Sequence, residues 1–392
     1  MMSSIICITC LFAFLSALLG CLVAQSKKRI VLTNVSNIIR LLDPPGSSIS
    51  ELLSARARPN IRLVHAFGLQ NTFVSADSGV KKQFATRARD ILRRHTRNFA
   101  AFPDDVRGVV TGSATRLRSP THRPSIPFAT FIQVVTLRVV ISSLLGGYVP
   151  EDSDEGTVFV VEAINELWTL SKKSRETPTT TLLESLNRHL RQWMPEEYER
   201  PLDFVIPAYE TMWRVVAVTV ARAINDRAAC AAFLAYLDSP TQEHFTRFED
   251  TQPSLEAFIS EVLRLHPPSR GLARAAPSRL WAPSASVTLV ADIEALHKDT
   301  AIWGSDAEVF DPMRFHESRL SHGQKHAFLP FSCGPLRCVA FKEAPRFAAI
   351  VAGAVLEVVS APLDGEYQLV CGEKFGRREG WEGWAIEVRS SS

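Results

Sequence analysis

Two cysteines, Cys333 and Cys338, lie on either side of a Gly-Pro pair in the stretch FSCGPLRCVA. A thiol pair of this kind can form a disulfide, bind a metal or contribute a single reactive thiolate. The Gly334-Pro335 pair turns the chain just ahead of an apolar, alanine-rich run with helical character. Cys338 is therefore predicted near a helix N-terminus, where free backbone N–H groups stabilise negative sulfur, whereas Cys333 precedes the turn.

An uncharged apolar segment at residues 5–24 predicts the compartment in which these thiols work. It is long enough to cross the roughly 30 Å hydrocarbon core as a helix. The charges of Lys27, Lys28 and Arg29 follow this segment, whereas a cleaved signal peptide has its charges before it. The positive-inside rule then predicts a single-pass membrane anchor with a lumenal N-terminus and the rest of the chain in the reducing cytosol. That setting disfavours a disulfide.

Zinc is also disfavoured, because outside the apolar segment, which holds Cys7, Cys10 and Cys21, neither a C-x2-C pairing nor an H-E-x-x-H helix occurs in the sequence. The chain has 392 residues, enough for one large domain or two ordinary ones. Its net charge is only +3 and no long basic run occurs, so the sequence does not indicate a nucleic-acid partner. A local basic cluster, residues 87–97, is either a solvated helix face or a docking patch for an acidic protein.

A single thiolate in a special environment remains, and here the sequence resembles the haem-binding loop of cytochrome P450 proteins, F-[G/S]-x-G-x-R-x-C-x-[G/A]. In that family the cysteine is the axial ligand of haem b iron, which implies this role for Cys338. Leu336 occupies the usual basic position, and Arg337 stands next to the cysteine. The positions that match the pattern are Phe331, Ser332, Gly334, Cys338 and Ala340.

The segment EVLRLHPP resembles the E-x-x-R motif of the same family. Glu261 and Arg264 are spaced to share one helix face and to form an ion pair. Downstream, HKDTAIWGSDAEVFDPMRF is similar to another family stretch, in which Arg314 would complete a Glu-Arg-Arg triad. The resemblance implies a structural role for the three residues, because a buried carboxylate between two guanidinium groups is paired and hydrogen-bonded.

The segment FVIPAYETMWRVVAVTVARAIN predicts a helix that passes through the core. Pro207 is expected to kink or open this helix. Glu210 and Thr211 place an acid and a hydroxyl in an apolar surrounding, which is costly unless they have a role. The segment resembles the family's oxygen-binding motif [A/G]-G-x-[D/E]-T, with Ala208 for the glycine, and this resemblance implies catalytic roles for Thr211 and Glu210 in oxygen activation and proton relay.

The resemblance implies a mainly α fold, the cytochrome P450 fold with small β-sheets, plus one N-terminal transmembrane helix. The expected organisation is an anchor at residues 5–24, a linker at 25–59 and a catalytic domain at 60–392 that looks shortened. Two regions look thin: the part before Asn60, and the part between Trp168 and Pro207 that must supply the helices over the pocket.

Contacts to the haem propionates are less defined in the sequence. The family's W-x-x-x-R helix has no counterpart, since Trp168 is the first tryptophan of the chain. Arg274 and Arg337 are the candidates for these contacts, each with a competing interpretation as a surface arginine. Phe331 is expected to contact the haem from the loop.

The resemblance predicts a monooxygenase that receives electrons from NADPH through a cytochrome P450 reductase and oxidises a lipophilic small molecule. The style of PAYETMWRVV resembles fungal microsomal members of secondary metabolism. The alternative is a shortened P450-like protein without monooxygenase activity, acting as a haem protein or a membrane-tethered scaffold. Glu210 and Thr211 favour the first hypothesis, whereas the altered loop and the thin N-terminal region favour the second.

Overall fold

The computed structural model of the chain describes residues 28–97, 99–117, 125–173, 180–276, 287–360 and 367–389. In these ranges the structure is mainly helical, as predicted, with two small sheets. The helices are α1 (Val35–Leu42), α2 (Ile49–Phe67), α3 (Ser78–Arg97), α4 (Phe102–Leu117), α5 (Phe128–Val139), α6 (Asp154–Lys173), α7 (Thr180–Trp193), α8 (Leu202–Ala223), α9 (Arg227–Asp238), α10 (Gln242–Thr246), α11 (Leu255–Leu265), α12 (Ile293–His297), α13 (Thr300–Trp303), α14 (His322–Ala327) and α15 (Glu343–Val359).

Both sheets have three strands and join distant parts of the chain. In the first sheet, β4 lies between β1, to which it is parallel, and β3, to which it is antiparallel. In the second sheet, β6 lies between β2 and β5 and is antiparallel to both. The strands are β1 (Arg29–Leu32), β2 (Ser125–Pro127), β3 (Gly271–Ala275), β4 (Thr288–Asp292), β5 (Tyr367–Val370) and β6 (Ala385–Val388).

The stretch predicted as a linker is structured from Arg29 onward. β1 pairs with β4, and α1 buries Ile38 and Leu42 in a small cluster with Ala291 of that strand. The linker prediction is therefore wrong for residues 29–59, and its boundary at Asn60 falls inside α2. The physical reason is that a short run such as RIVL can pair its backbone with an existing sheet edge, and the local sequence does not reveal that distant partner.

The main hydrophobic core is built around α8 and α15. α8 packs against α5, α11 and α15, and α15 also packs against α4 and α9. Among the described residues, α8 is the one helix long and apolar enough to span a membrane, but most of its most apolar window is buried inside the protein. It is therefore the core helix that the sequence predicts. The predicted anchor at residues 5–24 lies outside the described residues.

Pro207 lies within α8, and the helix continues through it to Ala223. Proline has no backbone N–H, so the carbonyl of Asp203 one turn earlier loses its helical partner. The side chain of Asn71, which follows α2, donates to this carbonyl at 2.9 Å. The Asp203 carboxylate in turn accepts from the backbone N–H groups of Gln70 and Asn71. The proline thereby creates a docking point for the loop after α2.

The region between Trp168 and Pro207 contains the end of α6 and the whole of α7, which packs against α6. α6 also packs against α2 and α5. The last turn of α5 widens into a π-helical segment, Val140–Leu144. Of these elements, α5 and the π-helical segment pack against α8, whose first half carries Glu210 and Thr211.

Candidate functional site

The loop that carries Cys338 is held by backbone hydrogen bonds. Gly334–Leu336 forms a single 3-10 turn, and the N–H of Cys338 donates to the carbonyl of Phe331 at 3.0 Å. Ser332 and Gly334 both adopt left-handed backbone conformations, with φ of 64° and 66°. A Cβ atom at Gly334 would lie 2.6 Å from the Asp43 side chain, so glycine is required there for its conformation and for space.

Cys338 is exposed, yet protein surrounds it closely enough that desolvation raises the pKa of its thiol. The backbone N–H of Ala340 and the charge of Arg337 act in the opposite direction. The predicted position at a helix N-terminus is wrong, because α15 begins only at Glu343, after two turns. An accessible thiol in a desolvating surrounding fits a soft metal ion, which deprotonates the sulfur that binds it.

The two ends of the loop have different surroundings. Cys333 is half-buried and packs against the cluster of α1 and β4. Phe331 is half-buried against the main core. Arg337 is exposed, and its guanidinium carbon lies 3.6 Å from the ring centroid of Phe341. Cys338 alone of the two thiols is thus freely accessible.

Leu336, at the position that is basic in the family pattern, is buried with Leu52 and Leu53 of α2. The next turn of α2 places Arg56 on the same face, where only 7% of its surface is exposed. Its Nη2 donates to the carbonyl and hydroxyl of Thr72, whereas its Nε has no partner among the described residues. Sequence reasoning missed Arg56, although a charged residue within an apolar helical stripe is a signal for it.

Arg274 of β3 is the second buried arginine beside the loop, with 5% of its surface exposed. Its Nη1 donates to the carbonyl of Ala273, and its Nε has no partner in the described ranges. Burial lowers the pKa of both Arg56 and Arg274 to about 10, and the charge of Arg274 contributes to the shift of Arg56. No carboxylate of the described residues pairs with either guanidinium, so the two form a buried site for an anion.

The predicted triad is brought together in the structure. Nε and Nη2 of Arg264 donate to the two carboxylate oxygens of Glu261 at 2.6 and 2.7 Å. Nε of Arg314 lies 3.8 Å from Oε1 of Glu261, and the N–H of Asp311 donates to the same oxygen at 3.0 Å. Glu261 and Arg264 are both fully buried.

The remaining donors of the two arginines bind chain segments that lead to the loop. Nη1 of Arg264 donates to the carbonyls of His297 and Ala307. Arg314 donates to the carbonyl of Trp303 and to the carboxylate of Asp306. Each charge of the cluster therefore has several partners, which makes its burial tolerable.

His297 joins this cluster to the loop. Its Nδ1 contacts the carbonyl of Arg264 at 3.2 Å, and its Nε2 accepts from the N–H of Leu329 at 3.0 Å. Burial, together with the charge of Arg264, lowers its pKa to about 3. The imidazole is therefore neutral and fixes the chain two residues before Phe331.

Glu210 of α8 has partners that the sequence does not reveal. Arg378, in the segment between β5 and β6, donates through Nη2 to Oε2 of Glu210. Arg214 lies 3.9 Å from the same carboxylate, and the indole N–H of Trp213 lies 3.5 Å from Oε1. Thr211, the next residue, is half-buried.

Comparison with known proteins identifies the region around Cys338. A cytochrome P450 family model matches residues 244–339, from the segment before α11 through the Glu261 cluster to the residue after Cys338. This match supports the assignment of the chain to the cytochrome P450 family.

The chain is similar to curated P450 relatives over part of its length. It is 35% identical over 121 residues to cytochrome P450 CYP749A22 of Panax ginseng, 29% of this chain and 23% of that protein. It is 38% identical over 95 residues to cytochrome P450 4X1 of Rattus norvegicus, 23% and 18% of the two chains. It is 31% identical over 137 residues to benzoate 4-monooxygenase bphA of Aspergillus niger, 32% and 26%. The matched stretch thus covers about a quarter or less of these relatives.

Solved P450 structures share their fold with nearly the whole chain. A mutant of the cytochrome P450DA heme domain superposes with a TM-score of 0.65 at 18% identity, covering 93% of this chain and 87% of the other. The unmutated heme domain gives a TM-score of 0.63, also at 18% identity, with 92% and 87% covered. The cytochrome P450 fold predicted from the motifs is confirmed.

The residues of the chain fit the haem that the cytochrome P450 family implies. Cys338 offers one accessible sulfur ligand. Arg56 and Arg274 offer two buried guanidinium groups without a carboxylate of the described chain, and haem carries two propionates. Leu336 adds apolar surface where the family pattern has a cation.

Proposed function

We propose that this P450 is a haem-thiolate monooxygenase that uses O2 and reductase-supplied electrons to oxidise a lipophilic small molecule. The observation that carries the proposal is the combination of the accessible Cys338 with the buried and unpaired Nε atoms of Arg56 and Arg274. A sulfur ligand and two carboxylate-binding groups on one side of the core match the chemistry of haem b.

Each residue has a proposed role at the site. Cys338 ligates the iron, Phe331 packs beside the ring, and Arg56 and Arg274 bind the propionates. Arg337 remains a further candidate for a propionate contact, from the exposed side of the loop. Haem, when bound, supplies the iron at which oxygen is activated, and a thiolate ligand donates electron density to it.

The α8 residues act as proton-handling groups. Thr211 offers a hydroxyl and Glu210 a carboxylate on adjacent positions of one buried helix. The carboxylate of Glu210 is held by Arg378, so it can turn toward the Thr211 side only after it leaves this partner. Glu261, Arg264 and Arg314 act as structural supports of the loop.

The cellular setting is proposed from the family and the sequence. Electrons come from NADPH through a cytochrome P450 reductase, and residues 5–24 anchor the chain in the endoplasmic reticulum membrane with the catalytic part in the cytosol. The similarity to a protein of Aspergillus niger supports a fungal setting, and a step of secondary metabolism fits it.

The two cysteines provide the test. Cys338→Ser is expected to abolish the thiolate-type band of the carbon monoxide complex, because a serine oxygen cannot replace the electron donation of sulfur. Cys333→Ser is the matched control and is expected to keep the band, since Cys333 is a half-buried packing residue. A thiolate-type band in Cys338→Ser, or its loss in Cys333→Ser alone, would contradict the proposal.

A second candidate is a P450-like protein without monooxygenase activity, and the hydrogen bond from Arg378 to Glu210 favours it, since this bond occupies the acid. NADPH consumption with added reductase separates the two. Oxygen-dependent consumption coupled to product supports the monooxygenase, and none with haem fully loaded supports the second candidate.

A further inference from the structure

The surroundings of Glu210 carry an excess of positive charge. Four cationic side chains from different parts of the chain interact electrostatically with this one carboxylate: Arg62, Lys172, Arg214 and Arg378. Their charges repel each other, which contributes, after burial, to lowering the pKa of Arg62, Lys172 and Arg214. Among the described residues, three positive charges in this cluster are left without a carboxylate.

The four cations differ in how many of their hydrogen-bond donors have a partner in the described protein. Arg214 is occupied, because its Nε and Nη2 donate to the carbonyl of Glu210 and its Nη1 donates to that of Pro268. Arg62 makes one hydrogen bond, from Nη1 to the hydroxyl of Ser171 at 2.6 Å. Arg62 therefore keeps donors that the described protein does not use.

Arg378 lies between polar and apolar partners. Its Nη1 donates to the side-chain oxygen of Asn165 at 2.6 Å, and its Nη2 binds Glu210. The guanidinium carbons of Arg378 and Arg62 lie 4.9 and 5.1 Å from the ring centroid of Trp168. The indole offers an apolar contact directly beside two guanidinium groups.

We infer that this cluster binds the carboxylate of an acidic, lipophilic substrate, with Arg378 as the anchoring residue and Arg62 as its second cation. The inference rests on the proposed function and names the substrate class of that same site. A guanidinium fork binds a carboxylate through two parallel hydrogen bonds, and Trp168 contacts the adjacent apolar part. The residues involved come from α2, α6 and the segment before β6.

Glu210 then competes with the substrate for Arg378. A substrate carboxylate that takes Arg378 releases Glu210 from its ion pair, and the acid becomes free to accept and donate protons beside Thr211. Binding of an acidic substrate is thereby coupled to the proton-handling group. Neutral analogues of the same shape bind without releasing Glu210.

The test compares decanoate with 1-decanol on the full-chain holoprotein by isothermal titration calorimetry. We expect decanoate to bind at least about 10-fold more tightly than the alcohol, the size of one charge-assisted hydrogen bond. Arg378→Gln should reduce the affinity for decanoate by about 10- to 100-fold and leave that for decanol nearly unchanged. Arg377→Gln is the matched control, since it removes the neighbouring charge from an exposed side chain and should change neither affinity more than about 2-fold.

The opposite sign is expected for Glu210→Gln. Removal of the competing carboxylate should increase the affinity for decanoate by about 3- to 10-fold, whereas a residue that only maintains the fold would reduce it. Equal affinity of the wild type for acid and alcohol, or equal losses in Arg378→Gln and Arg377→Gln, would overturn the inference.

The binding experiment can succeed or fail independently of the test of the proposed function. Calorimetry requires neither reductase nor turnover, and haem loading is read from the carbon monoxide spectrum of the same sample. Selective binding of decanoate by a protein without NADPH-dependent turnover supports the acidic ligand and rejects the monooxygenase. Turnover without selectivity for the acid supports the monooxygenase and rejects the acidic ligand. Should Arg378→Gln fail to fold, Arg378→Lys keeps the charge, loses the fork and should bind decanoate at an intermediate affinity.

Discussion

Glu261 and Glu210 are both buried glutamates on long helices, with 0% and 3% of their surfaces exposed, and each lies beside two arginines. Around Glu261, the arginine side chains are 0% and 5% exposed, and their other donors bind carbonyls or the carboxylate of Asp306. Around Glu210, the arginines are 10% and 20% exposed, and further cations lie within electrostatic range.

The difference separates a structural ion cluster from a binding one. A cluster whose charges are all matched gains nothing from a ligand, and removal of one member leaves an uncompensated buried charge. A cluster with excess charge and accessible donors is relieved by an incoming anion. The Glu261 cluster is therefore expected to stabilise the fold, and the Glu210 cluster is the one for which we propose a binding role.

The largest expected effect is on the Glu261 cluster. Glu261→Gln should lower the free energy of unfolding by about 3–5 kcal/mol, because it leaves the fully buried guanidinium of Arg264 without a carboxylate and removes one of the two carboxylates near Arg314. Chemical unfolding followed by tryptophan fluorescence measures the change. Glu256→Gln, at an exposed position in the first turn of the same helix, is the control and should change stability by less than about 0.5 kcal/mol. Similar losses in the two variants would contradict the comparison.

His297, which contacts the Glu261 cluster, is expected to make the free energy of unfolding depend on pH. Because burial lowers its pKa to about 3 in the folded protein, the unfolded chain binds more protons between roughly pH 6.5 and 3. The contribution of His297 to stability is therefore fully present above about pH 6.5. It is lost as the pH drops through this window, by up to about 1.4 kcal/mol per pH unit.

His297→Gln keeps an acceptor for the Leu329 N–H but does not titrate. Between pH 7 and 5 the variant should lose about 2 kcal/mol less stability than the wild type. The measurement is chemical unfolding at both pH values. The exposed residue His326, changed to Gln, serves as the control, and an unchanged pH slope in His297→Gln would reject the role of this imidazole.

A smaller effect is expected in the Glu210 cluster. Glu210→Gln should lower the free energy of unfolding by about 1 kcal/mol, the scale of a hydrogen bond whose partners can turn to water. Arg378 and Arg214 can do so because they are already partly exposed. If Glu210→Gln destabilises the protein as much as Glu261→Gln in the same unfolding assay, then the two clusters do not differ in kind.

The smallest effect has the opposite sign. Lys172→Gln removes one of the excess cations and should raise the free energy of unfolding by up to about 0.5 kcal/mol at low ionic strength. The gain should vanish in high salt, which screens exposed charges. Lys82→Gln, an exposed change of the same net charge on α3, should produce no such gain. A destabilised Lys172→Gln would mean that this lysine has a partner of its own.

The family motifs predicted the local parts of both regions well. Glu261 and Arg264 are three residues apart on one helix, so helix geometry alone brings them together. The order of the segments also predicted that Arg314 would join them, and the P450 fold is confirmed. The prediction of a linker at residues 25–59 is wrong from Arg29 onward. The sequence could not reveal β1, because this strand depends on a partner far along the chain, β4.

The sequence by itself determined which chemical groups share a helix face or a turn: Cys338 after its Gly-Pro pair, Glu210 beside Thr211, and Glu261 one turn from Arg264. Helix and turn geometry depend on neighbours in the chain, so spacing is sufficient evidence for them. Only the tertiary structure decided that Arg378 would meet Glu210 across 168 residues and that Arg56 would turn inward beside Arg274. Such contacts follow from the packing of the whole core, in which the burial of many apolar side chains outweighs the cost of placing a few charges among them.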